Sequence, residues 1–309
     1  MESFFTIVSQ RDGLHIDVVQ VLPEGKPKAI FQMSHGMSEH KERFLPMMRF
    51  LAEHGYLCVM NDHRGHGKSL FADGGLGYFG RDGGKALVDD LHQITLELRK
   101  QHPGLPLFLY GHSMGSLAVR AYRNHYGQDI DGLIVCCSPG YNPARNAGRM
   151  LLSAMSLLHG EKYVSRTARN LVSGGFDLRF AEEGPDAWLT TDKEEVRKFQ
   201  EDPLCGFAFT LNGYQSLLDL MGMAYAAPPA RNPDMPVHFI SGEDDPCMPN
   251  KKGFEYAIHR IRKTGATHVT WKIYPGMRHE IHNEQDRQLV YQDILDKLDL
   301  WMLHQTQDA

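Results

Sequence analysis

Short apolar runs alternate with helical patterns along most of the chain. The apolar runs lack polar alternation, which is typical of strands that are buried on both faces of a sheet. They are 29–33, 56–60, 107–110 and 133–137, and two further runs that predict strands follow at 237–240 and 269–274. Between the second and third runs, apolar residues recur every three or four positions from Leu87 to Leu98, which predicts a helix that ends near Gln101. This alternation indicates a parallel sheet with helices on its faces.

The two ends of the chain show different patterns. Near the N terminus, β-rich runs at 4–8 and 14–22 lie on either side of the turn signal Arg11-Asp12-Gly13, which predicts an antiparallel hairpin. Near the C terminus, the apolar spacing over 289–301 predicts a closing helix, and Asn283 is placed to cap it. We therefore expect a mostly parallel sheet that begins with a hairpin.

The strand pattern disappears after Pro139, and helical stretches take over for some ninety positions. We therefore predict a core formed by 1–139 and 230–309, and a helical cap inserted at 140–229. Within the cap, the apolar stretch 150–158 has three possible roles. It could be ordinary packing, the lining of an apolar pocket, or a surface that touches lipid.

Composition narrows the class of protein. A chain of 309 residues with 42% hydrophobic and 23% charged residues is typical of a folded, soluble protein. The net charge of -5 gives no positive field for a polyanion, so we expect no nucleic-acid partner. The N terminus lacks a signal-peptide pattern, and the five cysteines are too few for a disulfide framework, so we expect a cytoplasmic location. Nothing in the pattern specifies an oligomeric state.

The strongest chemical signal is the motif Gly111-His112-Ser113-Met114-Gly115, which directly follows the run 107–110 and precedes a helical pattern. A nucleophile elbow needs a strand, a strained turn with small flanking residues, and a helix. All three parts are present, so we predict that Ser113 is a nucleophile. The alternative is a glycine-rich turn with a serine that has no chemical role.

A serine hydroxyl needs a histidine to take its proton and a carboxylate to orient that histidine. After an elbow of this kind, the acid and then the histidine follow later strands. The run 237–240 leads into Glu243-Asp244-Asp245, and we predict that Asp245 is the acid because it stands directly before Pro246. Asp244 remains the alternative.

The last strand run leads into a loop that holds two of the seventeen histidines. We predict that His279 is the general base because it follows the run 269–274 most closely. His282 is the alternative, and we expect it to face solvent because it lies nearer the start of the closing helix. Most of the other histidines are expected to be surface or packing residues.

An oxyanion hole needs the backbone N–H of the residue after the nucleophile and a second N–H from the loop after an early strand. The first is that of Met114, and the second is that of Met37, which follows the turn His35-Gly36. We also expect His35, Gly36 and His112 to contact the substrate.

Three motifs suggest a cofactor or a metal but lack the context that either needs. Residues 75–80 match a dinucleotide fingerprint, yet no strand precedes them, so we expect a surface loop. The histidines of 279–282 are one residue short of the zinc-protease spacing. Asp62, His63 and His66 are better explained as a turn whose side chains bond the backbone. We predict no cofactor and no metal.

Together with the elbow, five further motifs resemble the monoacylglycerol lipase and lysophospholipase group of α/β hydrolases, especially its bacterial members. The motifs are residues 35–40, 61–69, 202–207, 242–246 and 274–280. The resemblance covers nearly the whole chain and implies the α/β-hydrolase fold with a cap that encloses an acyl tunnel. It also implies an esterase that splits a fatty acyl chain from a monoacylglycerol or a lysophospholipid. Met37 stands where this group commonly has a small residue, so we expect a narrower entrance to the active site.

We therefore predict a serine carboxylic-ester hydrolase that works through an acyl-enzyme. One alternative keeps the fold but changes the leaving group or the acceptor, as in an aminopeptidase or an acyltransferase. Another is a lipid-binding relative that has lost catalysis, although no member of the predicted triad is missing. A transient contact of the cap with a membrane surface, through 150–158, also remains open.

Overall fold

The computed structural model describes residues 1–173, 175–248 and 250–307, and an eight-stranded sheet runs through its centre. The strands are β1 (Glu2–Val8), β2 (His15–Val21), β3 (Ala29–Ser34), β4 (Tyr56–Asn61), β5 (Leu107–His112), β6 (Gly132–Cys136), β7 (Val237–Gly242) and β8 (Val269–Tyr274). Their order across the sheet is β1-β2-β4-β3-β5-β6-β7-β8. Strands β3 to β8 are parallel, whereas β1 and β2 form an antiparallel hairpin and β2 is antiparallel to β4. The predicted hairpin and mostly parallel sheet are confirmed.

Nine α-helices connect or cover these strands within the described residues. They are α1 (Leu45–Glu53), α2 (Gly83–Gln101), α3 (Met114–Tyr126), α4 (Arg145–His159), α5 (Arg166–Ser173), α6 (Lys193–Glu201), α7 (Leu211–Tyr225), α8 (Lys251–Arg262) and α9 (Arg287–Gln307). Helix α2 ends at Gln101, as predicted. The prediction that Asn283 caps the last helix is wrong, because Asn283 lies in a short 3-10 turn and its amide donates to Glu280.

The sheet separates two apolar clusters. Neighbouring residues of a strand point to opposite faces, so Ile30 packs with one cluster and Phe31 with the other. Helices α2, α3 and α7 cover the first face, and α1 and α9 cover the second. Every residue of β3 to β7 is buried, which explains why these strands read as unbroken apolar runs. The carboxyl ends of the parallel strands therefore meet at one edge.

Helices α4 to α7 lie within the predicted insertion but differ in burial. Leu152 is the one buried residue of α4, whereas most residues of α7 are buried, and Leu220 belongs to the core cluster. The segment before α7 also contacts the core, since Gly206 N–H donates to the carbonyl of Ser38 at 2.9 Å. The boundaries 1–139, 140–229 and 230–309 remain a prediction.

Asp62 bonds the backbone of its own loop, as we expected. Its carboxylate accepts the backbone N–H groups of Lys41 and Lys68, each at 2.9 Å, and the Lys41 ammonium at 2.7 Å. Gly67 has a φ of +47°, and a Cβ there would lie 2.2 Å from the Asp62 carboxylate. Among the described residues, no group close enough to share a metal ion contains Asp62, His63 or His66.

The loop 75–80 is not preceded by a strand, and it does not open a helix at Gly80. The expectation that it lies on the surface is wrong for its second half. Phe79 is fully buried, and its N–H donates to the Asn212 side chain of α7 at 2.9 Å. Apolar residues after the glycines could have indicated this contact.

Two further features bear on the environment of the protein. All five cysteines are buried free thiols. None of the described helices combines the length and the apolar character that a bilayer crossing needs.

Candidate active site

Ser113 occupies a sharp turn between β5 and α3. Its φ and ψ are 53° and −119°, a combination that residues other than glycine rarely adopt. Its N–H donates to the carbonyl of Cys136 at 3.0 Å, which holds the turn against β6. A Cβ on Gly111 would lie 2.4 Å from the carbonyl oxygen of Gly115, and a Cβ on Gly115 would lie 2.2 Å from that of Ser34. Both flanking glycines are therefore required by close backbone contacts.

Three side chains from separate loops meet at this turn. His279 Nε2 lies 2.8 Å from Ser113 Oγ, and His279 Nδ1 lies 2.9 Å from Asp245 Oδ1. The same carboxylate oxygen accepts the N–H of Cys247 at 2.8 Å. Because Nδ1–H donates to the carboxylate, Nε2 is left to accept the serine proton. The arrangement can activate the Ser113 hydroxyl.

The two alternative residues lie outside this chain of hydrogen bonds. Asp244 is partly exposed and pairs with Arg179 of the predicted cap. We expected His282 to face solvent, and this is wrong. His282 is 1% exposed and stacks on Phe44 with ring centroids 4.3 Å apart. Burial lowers the pKa of His282 to about 3, so the ring is neutral.

The two backbone amides of the predicted oxyanion hole lie near Ser113. They belong to Met114, the first residue of α3, and to Met37, in the loop after β3. Neither N–H has a hydrogen-bond partner among the described residues. The Gly36 N–H next to Met37 donates to Glu39 at 2.6 Å, which fixes the loop. Both free amides are thus available to a substrate oxygen.

A buried ionic network lies behind the site, and it was missed in the sequence. Glu39 accepts hydrogen bonds from Gly36, from Arg43 at 2.7 Å and from His112 Nδ1 at 3.3 Å. Arg43 also donates two hydrogen bonds to Glu280, each at 2.6 Å. The spacing of Glu39 and Arg43 by four residues was the available signal, but it is just as typical of exposed helix pairs.

His112 connects this network to the predicted base. Its Nε2 donates to the carbonyl oxygen of His279 at 3.1 Å. Burial alone lowers the pKa of His112, but its hydrogen bonds with Cys137 and Glu39 outweigh burial and raise it to about 10. The pKa of Glu39 would rise on burial, yet His112 and Arg43 hold it well below its usual range. A charged His112 therefore holds the backbone of His279.

Two cavities meet at Ser113. The larger, of about 760 Å³, is mostly apolar, and its walls include Leu151, Leu152, Leu171, Leu217, Leu218 and Met221. The smaller, of about 270 Å³, is more polar, and its walls include Glu39, Arg169, Asn170, Asp177, Asp186 and Glu280. Four residues line both cavities: Met37, Ser113, Phe176 and Trp188. A bound ester could thus place different groups on its two sides.

Of the residues expected to contact substrate, Gly36 and His112 line the smaller cavity. His35 lines neither cavity. It is fully buried, its ring packs 4.1 Å from that of His63, and its Nε2 accepts the His63 N–H at 2.9 Å. The expected contact of His35 with substrate is therefore not supported, and its role is to hold the two loops together.

The site also contains groups that could bind a metal. Asp245, Cys247 and His279 offer ligand atoms within 4.8 Å of one another. Both ring nitrogens of His279, however, already bond to Asp245 and Ser113. Within the described parts of the chain, no such group holds His279 and His282 together. An ion on His279 would have to displace one of these two hydrogen bonds.

Comparisons with known proteins agree with this geometry. The family model "Serine aminopeptidase, S33" matches residues 25–286. Monoglyceride lipase of Homo sapiens is 27% identical over 96% of this chain and 90% of its own length. Monoacylglycerol lipase of Mycolicibacterium smegmatis is 26% identical over 88% of each chain. A thermostable carboxyl esterase from Bacillus coagulans, solved in complex with glycerol, has a TM-score of 0.88 at 27% identity and covers 97% of this chain and 99% of its own.

We predict that His112 makes stability depend on pH. Its pKa of about 10 in the folded state exceeds the ordinary 6.5. The stability from the charged ring is therefore present in full below pH 6.5 and is lost as the pH rises towards 10, by up to about 1.4 kcal/mol per pH unit. The His112→Gln variant should lack this loss when urea unfolding is measured at pH 6.5, 7.5 and 8.5.

His102→Gln, outside the network, should keep the wild-type slope. Equal slopes for His112→Gln and the wild-type protein would contradict the prediction. The comparison between variants removes the contribution of other groups that titrate in this range.

Proposed function

The chain belongs to the serine aminopeptidase S33 family of α/β hydrolases and is a carboxylic-ester hydrolase, and we propose that it releases a fatty acid from a monoacylglycerol. One observation carries the proposal. The chain of hydrogen bonds from Ser113 through His279 to Asp245 lies where a large apolar cavity meets a small polar one. An ester with one long acyl chain and a small polar alcohol matches both spaces.

In the proposed first half-reaction, His279 Nε2 takes the proton of Ser113 as Oγ attacks the ester carbonyl carbon. The carbonyl oxygen becomes negatively charged and accepts hydrogen bonds from the N–H groups of Met37 and Met114. Asp245 stabilises the imidazolium of His279. His279 then protonates the leaving alcohol, and the acyl group remains bound to Ser113.

In the second half-reaction, water takes the place of the alcohol. His279 removes a proton from this water, which attacks the acyl-enzyme and forms a second tetrahedral intermediate. The intermediate collapses, the fatty acid leaves, and His279 returns the proton to Ser113. The cycle needs no group beyond the five residues named.

The smaller cavity favours a glycerol head group over a phosphate. Four carboxylates line it, those of Glu39, Asp177, Asp186 and Glu280, against the cations Arg169 and His112. Arg43 pairs with Glu39 and Glu280, so a phosphate would chiefly face Asp177 and Asp186, whereas hydroxyl groups can donate hydrogen bonds to carboxylates. Lysophospholipid is therefore the second substrate class, after monoacylglycerol.

An aminopeptidase is less well supported by the larger cavity. A free amino terminus would enter on the acyl side and would need a carboxylate there. The described walls of the apolar cavity contain no Asp or Glu side chain. Glu183 pairs with Arg278, and Glu194 with Arg197. A fatty acyl group therefore suits this side better.

The cap also presents an apolar surface beside the larger cavity. Met150, Leu157 and Leu158 of α4 are 75%, 89% and 80% exposed. Leu151 and Leu152 on the same helix line the cavity. We propose that this surface touches the lipid aggregate that supplies the substrate, because the transfer of exposed apolar side chains out of water lowers the free energy.

We predict that Ser113→Ala abolishes both turnover and labelling by a fluorophosphonate. The loss in kcat should be on the order of 10⁶, because the triad acts as a unit. Ser153→Ala, at a half-buried serine of α4 that lines neither cavity, serves as the matched control and should keep both properties. Persistent turnover in the Ser113 variant would refute the proposed nucleophile.

We predict a strong preference for single-chain esters. A panel of 1-monoacylglycerols, lysophosphatidylcholines and aminoacyl amides should give the highest kcat/KM for monoacylglycerols. The kcat/KM for lysophosphatidylcholines should be about a tenth of that value or less. Activity confined to amides would favour the aminopeptidase. Transfer to an added alcohol in preference to water would favour an acyltransferase, and tight binding without release of acid would favour an inactive relative.

We predict that Leu157→Asp with Leu158→Asp weakens sedimentation with phosphatidylcholine vesicles. Burying one leucine contributes about 1.5–3 kcal/mol, so losing two should weaken the affinity by about 100-fold or more. Leu289→Asp, a half-exposed position on α9, is the control. Hydrolysis of a short water-soluble ester should remain unchanged in both proteins. Equal sedimentation of both variants would contradict the proposed contact.

A further inference from the structure

Trp188 stands between the two cavities. It lines both of them, and so do Phe176, Met37 and Ser113. The rings of Trp188 and Phe176 pack with centroids 4.9 Å apart, and the Trp188 ring lies 5.0 Å from the ring of His279. These two aromatic rings therefore form the wall beside the position of the ester carbon.

Backbone hydrogen bonds hold this wall in place. The Trp188 carbonyl accepts the His279 N–H at 3.4 Å, and the Leu189 carbonyl accepts the Glu280 N–H at 2.6 Å. The Ala187 carbonyl accepts a hydrogen bond from the Arg278 side chain at 2.6 Å. Leu189 is also buried in a small cluster against which Trp188 packs. The segment 187–189 is thus fixed along the loop that carries the base.

We propose that Trp188 and Phe176 form a partition that confines the enzyme to esters of alcohols without a second acyl chain. The proposal rests on the proposed function, in which the acyl group occupies the larger cavity and the alcohol the smaller one. A second chain on the alcohol would have to enter the 270 Å³ cavity, among the carboxylates of Asp186 and Glu280. The partition stands between this second acyl chain and the 760 Å³ apolar cavity.

Selection against diacylglycerols is then a property of the cavity walls. The triad itself does not distinguish the two esters, because the scissile bond is the same in both. Removing the Trp188 ring widens the connection between the two cavities next to Ser113, and a second chain can then reach apolar walls. The expected effect is a change in substrate ratio.

A purely structural role for Trp188 would give a different result. If the ring only positions His279, its loss lowers the rate with every ester by the same factor. The ratio of kcat/KM for 1,2-dioctanoylglycerol to that for 1-monooctanoylglycerol cancels such a common loss. This ratio, measured in the same mixed micelles, is therefore the readout.

The test compares Trp188→Ala, Trp188→Phe and Phe176→Ala with the wild-type enzyme. Trp188→Ala should raise the ratio by about tenfold or more, since a few methylene groups in a matching pocket contribute that much. Trp188→Phe keeps a ring and should leave the ratio near wild type. Phe176→Ala opens the same wall from its other side, so it tests the partition even when Trp188→Ala does not fold. Trp271→Ala, at an exposed tryptophan on β8, is the matched control.

The outcomes separate the partition from the proposed function. An unchanged ratio in both alanine variants, with wild-type activity on the monoacylglycerol, overturns the partition and leaves the function intact. An equal loss with both esters, and slower fluorophosphonate labelling of Ser113, also overturns it and makes Trp188 a positioning residue. A wild-type enzyme that labels but does not hydrolyse monoacylglycerol overturns the proposed function and, with it, the partition.

Discussion

The close approach of α3 to the end of β3 is the constraint on which the site depends. A Cβ on Gly115 would lie 2.2 Å from the carbonyl oxygen of Ser34 and 2.5 Å from that of His35. Only glycine permits this distance, and it brings the start of α3 next to the loop after β3. The free amides of Met37 and Met114 face the same space for this reason. Ser113 takes its strained conformation at the same point.

Buried charges make the loops around this point rigid. Removing a carboxylate or a guanidinium from water costs several kcal/mol, and the cost is offset only where each charge has close partners. Glu39, Arg43 and Glu280 provide partners for one another, and His112 joins Glu39 to the backbone of His279. One network thus connects the loop after β3 with the backbone of His279. Its members come from the segment after β3, the end of β5 and the loop after β8, so neither of the two connecting segments can shift alone.

The sheet and the elbow could be predicted because their signals are local. Buried parallel strands read as apolar runs, and the glycines around Ser113 report backbone contacts that any such turn must make. The burial of His282, the position of His35 behind the loop and the place of Trp188 between two cavities could not be predicted. Each depends on a neighbour far away in the chain, and the sequence pattern around each residue is ordinary. Asn283 failed as a cap because it ends a short 3-10 turn, and the helix begins only at Arg287.

The hydrogen bonds between 187–189 and 278–280 limit how the molecule can admit a lipid. Lifting this part of the cap would pull on the backbone of His279 and separate its ring from Ser113. Helix α4 is tied to α7 instead, because Arg149 pairs with Asp219 and Arg145 donates to the carbonyl of Leu218. A shift of α4 together with α7 would leave the backbone of His279 in place, whereas a shift of 187–189 would not. Entry of a long chain beside α4 is therefore compatible with intact hydrogen bonds between Ser113, His279 and Asp245.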